Sequence, residues 1–220
     1  PNESGEPFTS TENIYREVSY LLADEENLKA NAEASVPPTR FVVDILSGTS
    51  AGGINGIFLA KALVNGQDMD KLQDLWIKEG DIETLINDKR SIEKPLKLQD
   101  PPVSLLNSER MYYELLKAFN LMDMTTPNRE EKAESPYVDE LDLFVTSTDL
   151  QGVVLPMSLS DSFVYEKRHR NVMHFLYSEP SVSGEPTRND FHQKFNPFLA
   201  YAARCTSSFP FAFEPMALSD

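Results

Sequence analysis

A serine between glycines carries the clearest chemical signal in this sequence. Residues 48–52 read Gly-Thr-Ser-Ala-Gly, after an apolar run that starts at Phe41 and before a helix-like apolar pattern that starts at Ile54. The motif G-x-S-x-G thus lies between a predicted strand and a predicted helix, the context of a nucleophile elbow. We predict Ser50 as the nucleophile, and the elbow residues around it are Gly48, Thr49, Ala51, Gly52 and Gly53.

Such an elbow makes a steric and an electrostatic demand. The sharp turn holds its serine in a strained backbone conformation, and only glycine or alanine leaves room around it. The following helix directs N–H groups and the positive end of its dipole at the position where an oxyanion would form. The alternative interpretation is a tight turn with an incidental serine.

Histidines offer a rival chemistry, because an α/β-hydrolase presents serine, acid and histidine in that order. The histidines that follow Ser50 are His169, His174 and His192, and the acids that precede them are Asp142, Asp149 and Asp161. The charged run 166–170 predicts a solvated turn, although its Lys167, Arg168 and Arg170 are candidate contacts for a phosphate headgroup. For Asp149 we expect hydrogen bonds to neighbouring loops rather than catalysis.

The elements that position Ser50 follow from periodicity and turn residues. Helices are predicted at 10–32, 51–64, 69–80, 108–120 and 196–205, with Asn65-Gly66 ending the second and Asn196 capping the last. Strands are predicted at 41–46, 141–149 and 172–177, with a turn at 149–152 and a hairpin partner at 153–159. Residues 122–139 are a candidate mobile insertion. This alternation predicts an α/β layer architecture.

Two apolar groups of side chains have alternative roles. Met69, Leu72, Leu75 and Trp76 fall on one predicted helix face and are expected in the core rather than in a ligand site. The second group lies in an irregular segment between prolines, where it would either line an acyl channel or pack in the core; its members are Phe209, Phe211, Phe213 and Met216.

Composition limits the classes of function. The chain has 220 residues, a net charge of −15 and one cysteine, which argues against nucleic-acid binding and against a disulfide framework. No apolar run reaches the length of a membrane-spanning helix. We expect the protein in the cytoplasm or at the periphery of a membrane, with a lipid ester as substrate and peripheral contact with membranes or lipid aggregates.

Three segments together resemble the patatin-like phospholipases. They are Phe41-Val-Val-Asp-Ile-Leu-Ser-Gly-Thr-Ser-Ala-Gly-Gly53, the strand Leu143-Phe-Val-Thr-Ser-Thr-Asp-Leu150, and Ala202-Ala-Arg-Cys-Thr-Ser-Ser-Phe-Pro-Phe-Ala-Phe-Glu-Pro215. The resemblance implies a three-layer α/β/α fold with a mostly parallel sheet. It also implies hydrolysis of lipid acyl esters by a serine–aspartate dyad, without metal, cofactor or histidine, with Ser50 as nucleophile and the Ala51 N–H facing the oxyanion. Asp44 matches a position where the family often has an acid, but because it lies on the strand before the turn we expect it to be structural.

The chain departs from that family in two places. The dyad aspartate of the family lies in an Asp-Gly motif, and no Asp-Gly pair occurs here; the family's glycine-rich oxyanion loop precedes the serine, but the only glycine before Gly48 is Gly5. We therefore interpret residues 1–220 as a single patatin-like domain that is incomplete at both ends, with its aspartate outside this chain. The alternative is a degenerate member that binds lipid or a partner without cleaving it.

Overall fold

The computed structural model describes residues 42–69, 82–92, 102–125, 137–179 and 188–217, together with positions 13, 14, 17, 18, 73, 76, 77, 96 and 135. The chain divides into two compact units, residues 1–42 and 43–220. In the first unit, positions 13, 14, 17 and 18 are helical, and the remainder of the helix predicted at 10–32 lies outside the described residues. The candidate insertion at 122–139 also lies largely outside them.

The second unit contains a mixed four-stranded sheet. Its strands, in spatial order, are β1 (Ile45–Gly48), β2 (Glu140–Ser158), β3 (Phe163–Ser178) and β4 (Arg188–Asn189). Strands β1 and β2 are parallel, whereas β2–β3 and β3–β4 are antiparallel. The predicted α/β class is confirmed, but a mostly parallel sheet is not confirmed, because one of the three described pairings is parallel.

The described helices are α1 (Ala51–Asn65), α2 (Ile82–Leu85), α3 (Ser108–Thr125) and α4 (Asn196–Thr206), with 3₁₀ turns at Lys89–Ser91 and Gln193–Phe195. The predicted end of α1 is confirmed, since Gly66 adopts the left-handed conformation at φ 62° and donates its N–H to the Ala62 carbonyl. The predicted cap of α4 is one residue off. Phe195 is the N-cap, and the amide of Asn196 instead binds Asn120 and Asp123.

The core lies on one face of the sheet. Leu141, Leu143 and Val145 in β2 are fully buried, while the residues between them are half-buried. The buried face packs against α1, α3 and α4 in a single apolar cluster. Gly56 lets α1 approach closely, because a Cβ there would lie 3.3 Å from Leu143 Cδ1. This packing fixes α1, and therefore its N-terminus, relative to β1 and β2.

A buried lysine also anchors α1. Lys61 is fully buried and donates to Asp123 Oδ1 at 2.8 Å and to the Phe191 carbonyl at 3.0 Å. Asp123 lies on α3 and also accepts from Asn196 of α4. Burial lowers the pKa of Lys61, and the Asp123 carboxylate opposes that shift. The ion pair therefore connects three helices through one charged centre.

The predicted turn at 149–152 is wrong. β2 continues through it to Ser158, and the chain reverses at 159–162, where the Leu159 N–H donates to the Ser162 carbonyl at 2.8 Å. Residues 149–152 form a β-bulge instead. Asp149 Oδ1 accepts from Gln151 N and Gly152 N, and Gly152 has φ 69°. A bulge and a turn use the same residue types, because both need a side-chain acceptor and a positive φ.

As a result, residues 153–158 of the predicted partner 153–159 pair with 163–168 rather than with 141–149. The predicted short strand at 172–177 is the end of the longer β3, and the run 166–170 is strand rather than turn. Beyond the bulge both strands of this ribbon are largely exposed, with Phe163 and Tyr165 at 69% and 71%.

Candidate active site

Ser50 occupies the junction between β1 and α1 in a strained conformation. Its backbone angles are φ 53° and ψ −129°, and the residue is exposed. A positive φ is uncommon for a residue with a Cβ and costs about 1–3 kcal/mol unless the surroundings hold it in place. The strained turn predicted from the sequence is therefore present at Ser50.

The glycines around Ser50 differ in what they permit. A Cβ on Gly48 would lie 2.4 Å from the Gly52 carbonyl oxygen, and one on Gly53 would lie 2.7 Å from Thr206 Cγ2. A Cβ on Gly52 would meet nothing within 4 Å. At Gly48 and Gly53 even the Cβ of an alanine would clash, whereas at Gly52 an alanine also fits, as the prediction of glycine or alanine allows.

The N-terminus of α1 faces the same point. The Ser50 carbonyl accepts from Gly53 N at 3.0 Å and from Ile54 N at 3.1 Å, which closes the first turn. No acidic residue lies in that turn. The exposed Thr49 and Ala51 flank the serine. A first turn without a carboxylate leaves the positive end of the helix dipole available to a developing oxyanion.

A distant threonine holds the elbow from the other side. Thr206, the last residue of α4, accepts the Ser50 N–H through Oγ1 at 2.8 Å. Thr206 belongs to the third segment that resembles the patatin-like phospholipases, but its sequence context predicts no role for it. A contact 156 residues apart in sequence has no signature in local periodicity; only the co-occurrence of the two segments indicated it.

An apolar cleft of about 580 Å³ opens beside the elbow. Ser47 and Gly52 lie at its elbow side, and the indole of Trp76 donates to Asn55 Oδ1 at 3.1 Å on its wall. The apolar residues that line it are Leu46, Leu59, Met69 and Trp76. Met69 also packs, partly buried, against the core cluster, as expected. Trp76 is 40% exposed, so its assignment to the core is wrong, and Leu72 and Leu75 lie outside the described residues.

The aromatic residues expected in a channel or the core lie elsewhere. Phe209 and Phe211 are 72% and 95% exposed, and Phe211 has a positive φ of 70°. Only Phe213 of the three is held, by the Arg204 guanidinium 4.2 Å from its ring centroid. The backbone of this segment is tied to the loop before α3, because Leu106 N donates to the Ala212 carbonyl at 2.7 Å.

Arg204 is the buried anchor of that segment. Its guanidinium donates to Ser208 Oγ at 2.8 Å, to the Glu214 carbonyl at 3.2 Å and to Ser108 Oγ. Burial lowers its pKa to about 10, which leaves it charged at neutral pH. It therefore fixes residues 208–214 against α3 just after Thr206.

The three histidines have other partners. His174 Nε2 bonds to Asp142 Oδ1 and its ring stacks on Phe144, His169 Nδ1 lies 2.8 Å from the Asp149 carbonyl, and His192 Nδ1 accepts from Lys194 N. Ser50 itself is hydrogen-bonded through its backbone to Gly53, Ile54 and Thr206. Asp142 and His174 do form an acid–histidine pair. This pair lies within strands β2 and β3, beside Phe144, whereas Ser50 lies at the junction of β1 and α1.

The other predicted residues have structural positions. The Asp44 carbonyl accepts from Asp142 N at 2.8 Å and extends the pairing of β1 with β2, as expected for a structural residue. Asp149 shapes the bulge, in agreement with its predicted loop contacts. Arg168 pairs with Glu166 on the exposed ribbon. Within the described part of the chain, no cluster of three metal-ligating side chains occurs.

Comparison with known proteins identifies relatives. Residues 28–220 match the patatin-like phospholipase family. Over 179 residues, which are 80% of this chain, the sequence is 33% identical to an uncharacterized membrane protein of Mycobacterium tuberculosis, and the match covers 15% of that protein's length. No solved structure matches the chain. None of the described helices is long and apolar enough to cross a membrane.

Proposed function

The chain belongs to the patatin-like phospholipase family, whose members are in general lipid acyl hydrolases, and on this basis we propose a serine ester hydrolase with Ser50 as nucleophile. The observation that carries the proposal is the strained, exposed conformation of Ser50 at φ 53°. Backbone strain of this kind concentrates at functional sites. Gly48 and Gly53 support the proposal, because a Cβ at either position would clash with the tightly packed elbow.

The proposed reaction proceeds in two steps. Ser50 Oγ attacks the carbonyl carbon of a lipid ester while its proton passes to an aspartate, and the tetrahedral oxyanion is met by the Ala51 N–H. Collapse of the intermediate releases the alcohol with that proton and leaves an acyl-serine. Water then attacks the acyl-serine, and the fatty acid leaves as Ser50 regains a proton. We assign the aspartate to a position outside residues 1–220, because these contain no Asp-Gly pair.

The cleft supports a lipid rather than a small polar ester. Its volume of about 580 Å³ is within the range of small-molecule sites, and it is an open cleft rather than an enclosed cavity. Leu46, Leu59, Met69 and Trp76 supply an apolar wall next to Gly52. An acyl chain bound there extends away from the elbow, so that its carboxyl end remains close to Ser50.

Peripheral contact with a lipid surface follows from the exposed segment after α4. Phe211 lies beside Leu105, which is 63% exposed and donates its N–H to the Phe211 carbonyl at 3.4 Å, and Phe209 two residues before it is also exposed. This apolar patch begins three residues after Thr206, which binds the elbow. We propose that it meets the lipid aggregate from which a substrate molecule enters the cleft. The same patch would serve a non-catalytic lipid-binding module, which is the second candidate.

Stoichiometric labelling with a fluorophosphonate separates these candidates. In the full-length protein, followed by intact mass, we expect one adduct that disappears in Ser50→Ala and persists in Ser162→Ala, a matched control at the hairpin turn. No adduct in folded wild-type protein would refute the hydrolase and leave the lipid-binding module. An adduct that needs His174 would support a Ser-His-Asp site, which the engagement of the three histidines with other partners disfavours.

A further inference from the structure

We propose that Thr206 is a positioning residue that holds the Ser50 peptide in its strained conformation. It makes the segment at the end of α4 a structural part of the nucleophile elbow. The inference rests on the proposed function in so far as the elbow is catalytic. The contact itself is a property of the fold and is tested separately below.

The first support is the hydrogen bond to the backbone of Ser50. Thr206 Oγ1 accepts the Ser50 N–H at 2.8 Å. The strained dihedral angle of Ser50 is φ, at 53°. This angle describes rotation about the bond between Cα and the nitrogen that carries this N–H. A partner fixed at that N–H therefore restricts rotation about the strained bond, which a partner elsewhere on the side chain would not do.

The second support is the fit between Thr206 and Gly53. A Cβ on Gly53 would lie 2.7 Å from Thr206 Cγ2 and 2.9 Å from Oγ1. Thr206 thus fills the space beside the first turn of α1 with both of its branches. The hydroxyl holds the start of the elbow, and the methyl group packs where the helix begins.

The third support is that Thr206 is itself held rigidly. Helix α4 is buried through Leu199, Ala200, Ala202 and Ala203. On either side of Thr206 the chain is anchored, by Asn196 to Asp123 at 2.7 Å and by Arg204 to the 208–214 segment. The Thr206 hydroxyl is therefore a fixed acceptor. Helix α4 positions the elbow, and the elbow does not position α4.

The effect of losing the bond follows from ordinary hydrogen-bond energies. A neutral intramolecular hydrogen bond changes an equilibrium by about 2- to 10-fold. Thr206→Val keeps the shape of the side chain and removes the acceptor, so we expect labelling of Ser50 by a fluorophosphonate to slow by about 2- to 10-fold. Thr206→Ser keeps the acceptor and should label within about 2-fold of the wild type.

Amide hydrogen exchange in the full-length protein tests the contact without activity. The Ser50 amide should exchange faster in Thr206→Val than in wild type and remain protected in Thr206→Ser, with unchanged protection in the middle of α1 as the folding control. For ester substrates, kcat should fall in Thr206→Val while KM stays constant, because the cleft is not altered.

The outcomes separate the two proposals. If wild-type protein takes no adduct, the proposed hydrolase fails, and Ser50 exchange still decides the role of Thr206. If wild type labels and Thr206→Val labels and exchanges at the same rate, the positioning role is refuted. Equal losses in Thr206→Val and Thr206→Ser would also refute it, since the hydroxyl kept in Thr206→Ser would then make no difference to Ser50.

Discussion

Replacement of Gly48 by alanine should destabilise the protein, whereas the same replacement at Gly52 should not. A Cβ on Gly48 lies 2.4 Å from the Gly52 carbonyl oxygen and 2.7 Å from Gly53 N. These are backbone atoms, so relief requires a shift of the first turn of α1, and such overpacking costs about 1–3 kcal/mol. A Cβ on Gly52 meets no atom within 4 Å, and a helix favours alanine over glycine by about 1 kcal/mol.

Thermal unfolding followed by circular dichroism measures the difference. For a domain of about 150–250 residues, 1 kcal/mol corresponds to about 2–4 °C in Tm. Gly48→Ala should therefore lower Tm by about 2–12 °C, and Gly52→Ala should leave it unchanged or raise it by up to about 4 °C. Gly56→Ala is the intermediate case and should lower Tm by less than Gly48→Ala, because its Cβ would lie 3.3 Å from Leu143 Cδ1, which must shift but is a side-chain atom.

The result that refutes the reasoning is a Gly48→Ala protein as stable as wild type. It would mean that β1 and α1 are not joined by the tight turn, and the steric argument for the elbow would fail. A loss of stability in Gly52→Ala would refute the prediction that alanine is tolerated there, since it would mean that other atoms occupy the space beside Gly52. Fluorophosphonate labelling of Ser50 should fall in Gly48→Ala, because the N–H groups of α1 move with its first turn.

Three further predictions concern the cleft, the exposed patch and the buried ion pair. Leu59→Trp should fill part of the cleft and raise KM for long-chain esters while short-chain esters are hydrolysed as before; equal effects on both would exclude the cleft as the acyl site. Phe211→Gly should relieve a strain of about 1–2 kcal/mol and raise Tm, yet reduce co-sedimentation with lipid vesicles; undiminished vesicle binding would remove the patch from the lipid contact. Asp123→Asn should destabilise the protein by about 3–5 kcal/mol, because Lys61 loses its carboxylate. Burial lowers the folded-state pKa of Lys61 below its ordinary value of 10.5. Between the two values the unfolded state binds more protons, so stability should rise with pH across that window. In Asp123→Asn the pKa of Lys61 should fall further, because the carboxylate that raises it is gone, so the window should extend to lower pH. Denaturant titrations at several pH values measure this, and a free energy of unfolding that does not change with pH would contradict it.

The local part of the site is predictable from sequence. The elbow at Ser50, the length of α1 and its end at Gly66 follow from apolar periodicity and glycine placement, and the structure contains all three. The signals are local because a strand, a tight turn and a helix each depend on neighbours within a few residues. Whether Ser50 acts as a nucleophile remains a prediction.

The parts that sequence could not predict depend on distant contacts. Periodicity states that Met69 and Trp76 share a helix face, but not that this face borders a cleft next to Gly52. Turn residues at 149–152 do not distinguish a reversal from a bulge, because the deciding factor is pairing with 163–170, far along the chain. Lys61 gave no signal, since its partner Asp123 lies 62 residues away.

The energetics of Ser50 explain why the elbow requires two separate segments. Its strain of about 1–3 kcal/mol is of the same order as what one neutral hydrogen bond contributes, about 0.5–1.5 kcal/mol. The carbonyl accepts from Gly53 and Ile54 within α1, but these bonds belong to the helix and would form at any N-cap conformation that starts it. The bond that distinguishes the strained conformation is the one that the Ser50 N–H donates to Thr206 Oγ1. A chain with the glycine–serine motif and no acceptor at the end of α4 should therefore relax Ser50 toward negative φ, and an alanine at position 206 is the simplest way to observe that relaxation by NMR.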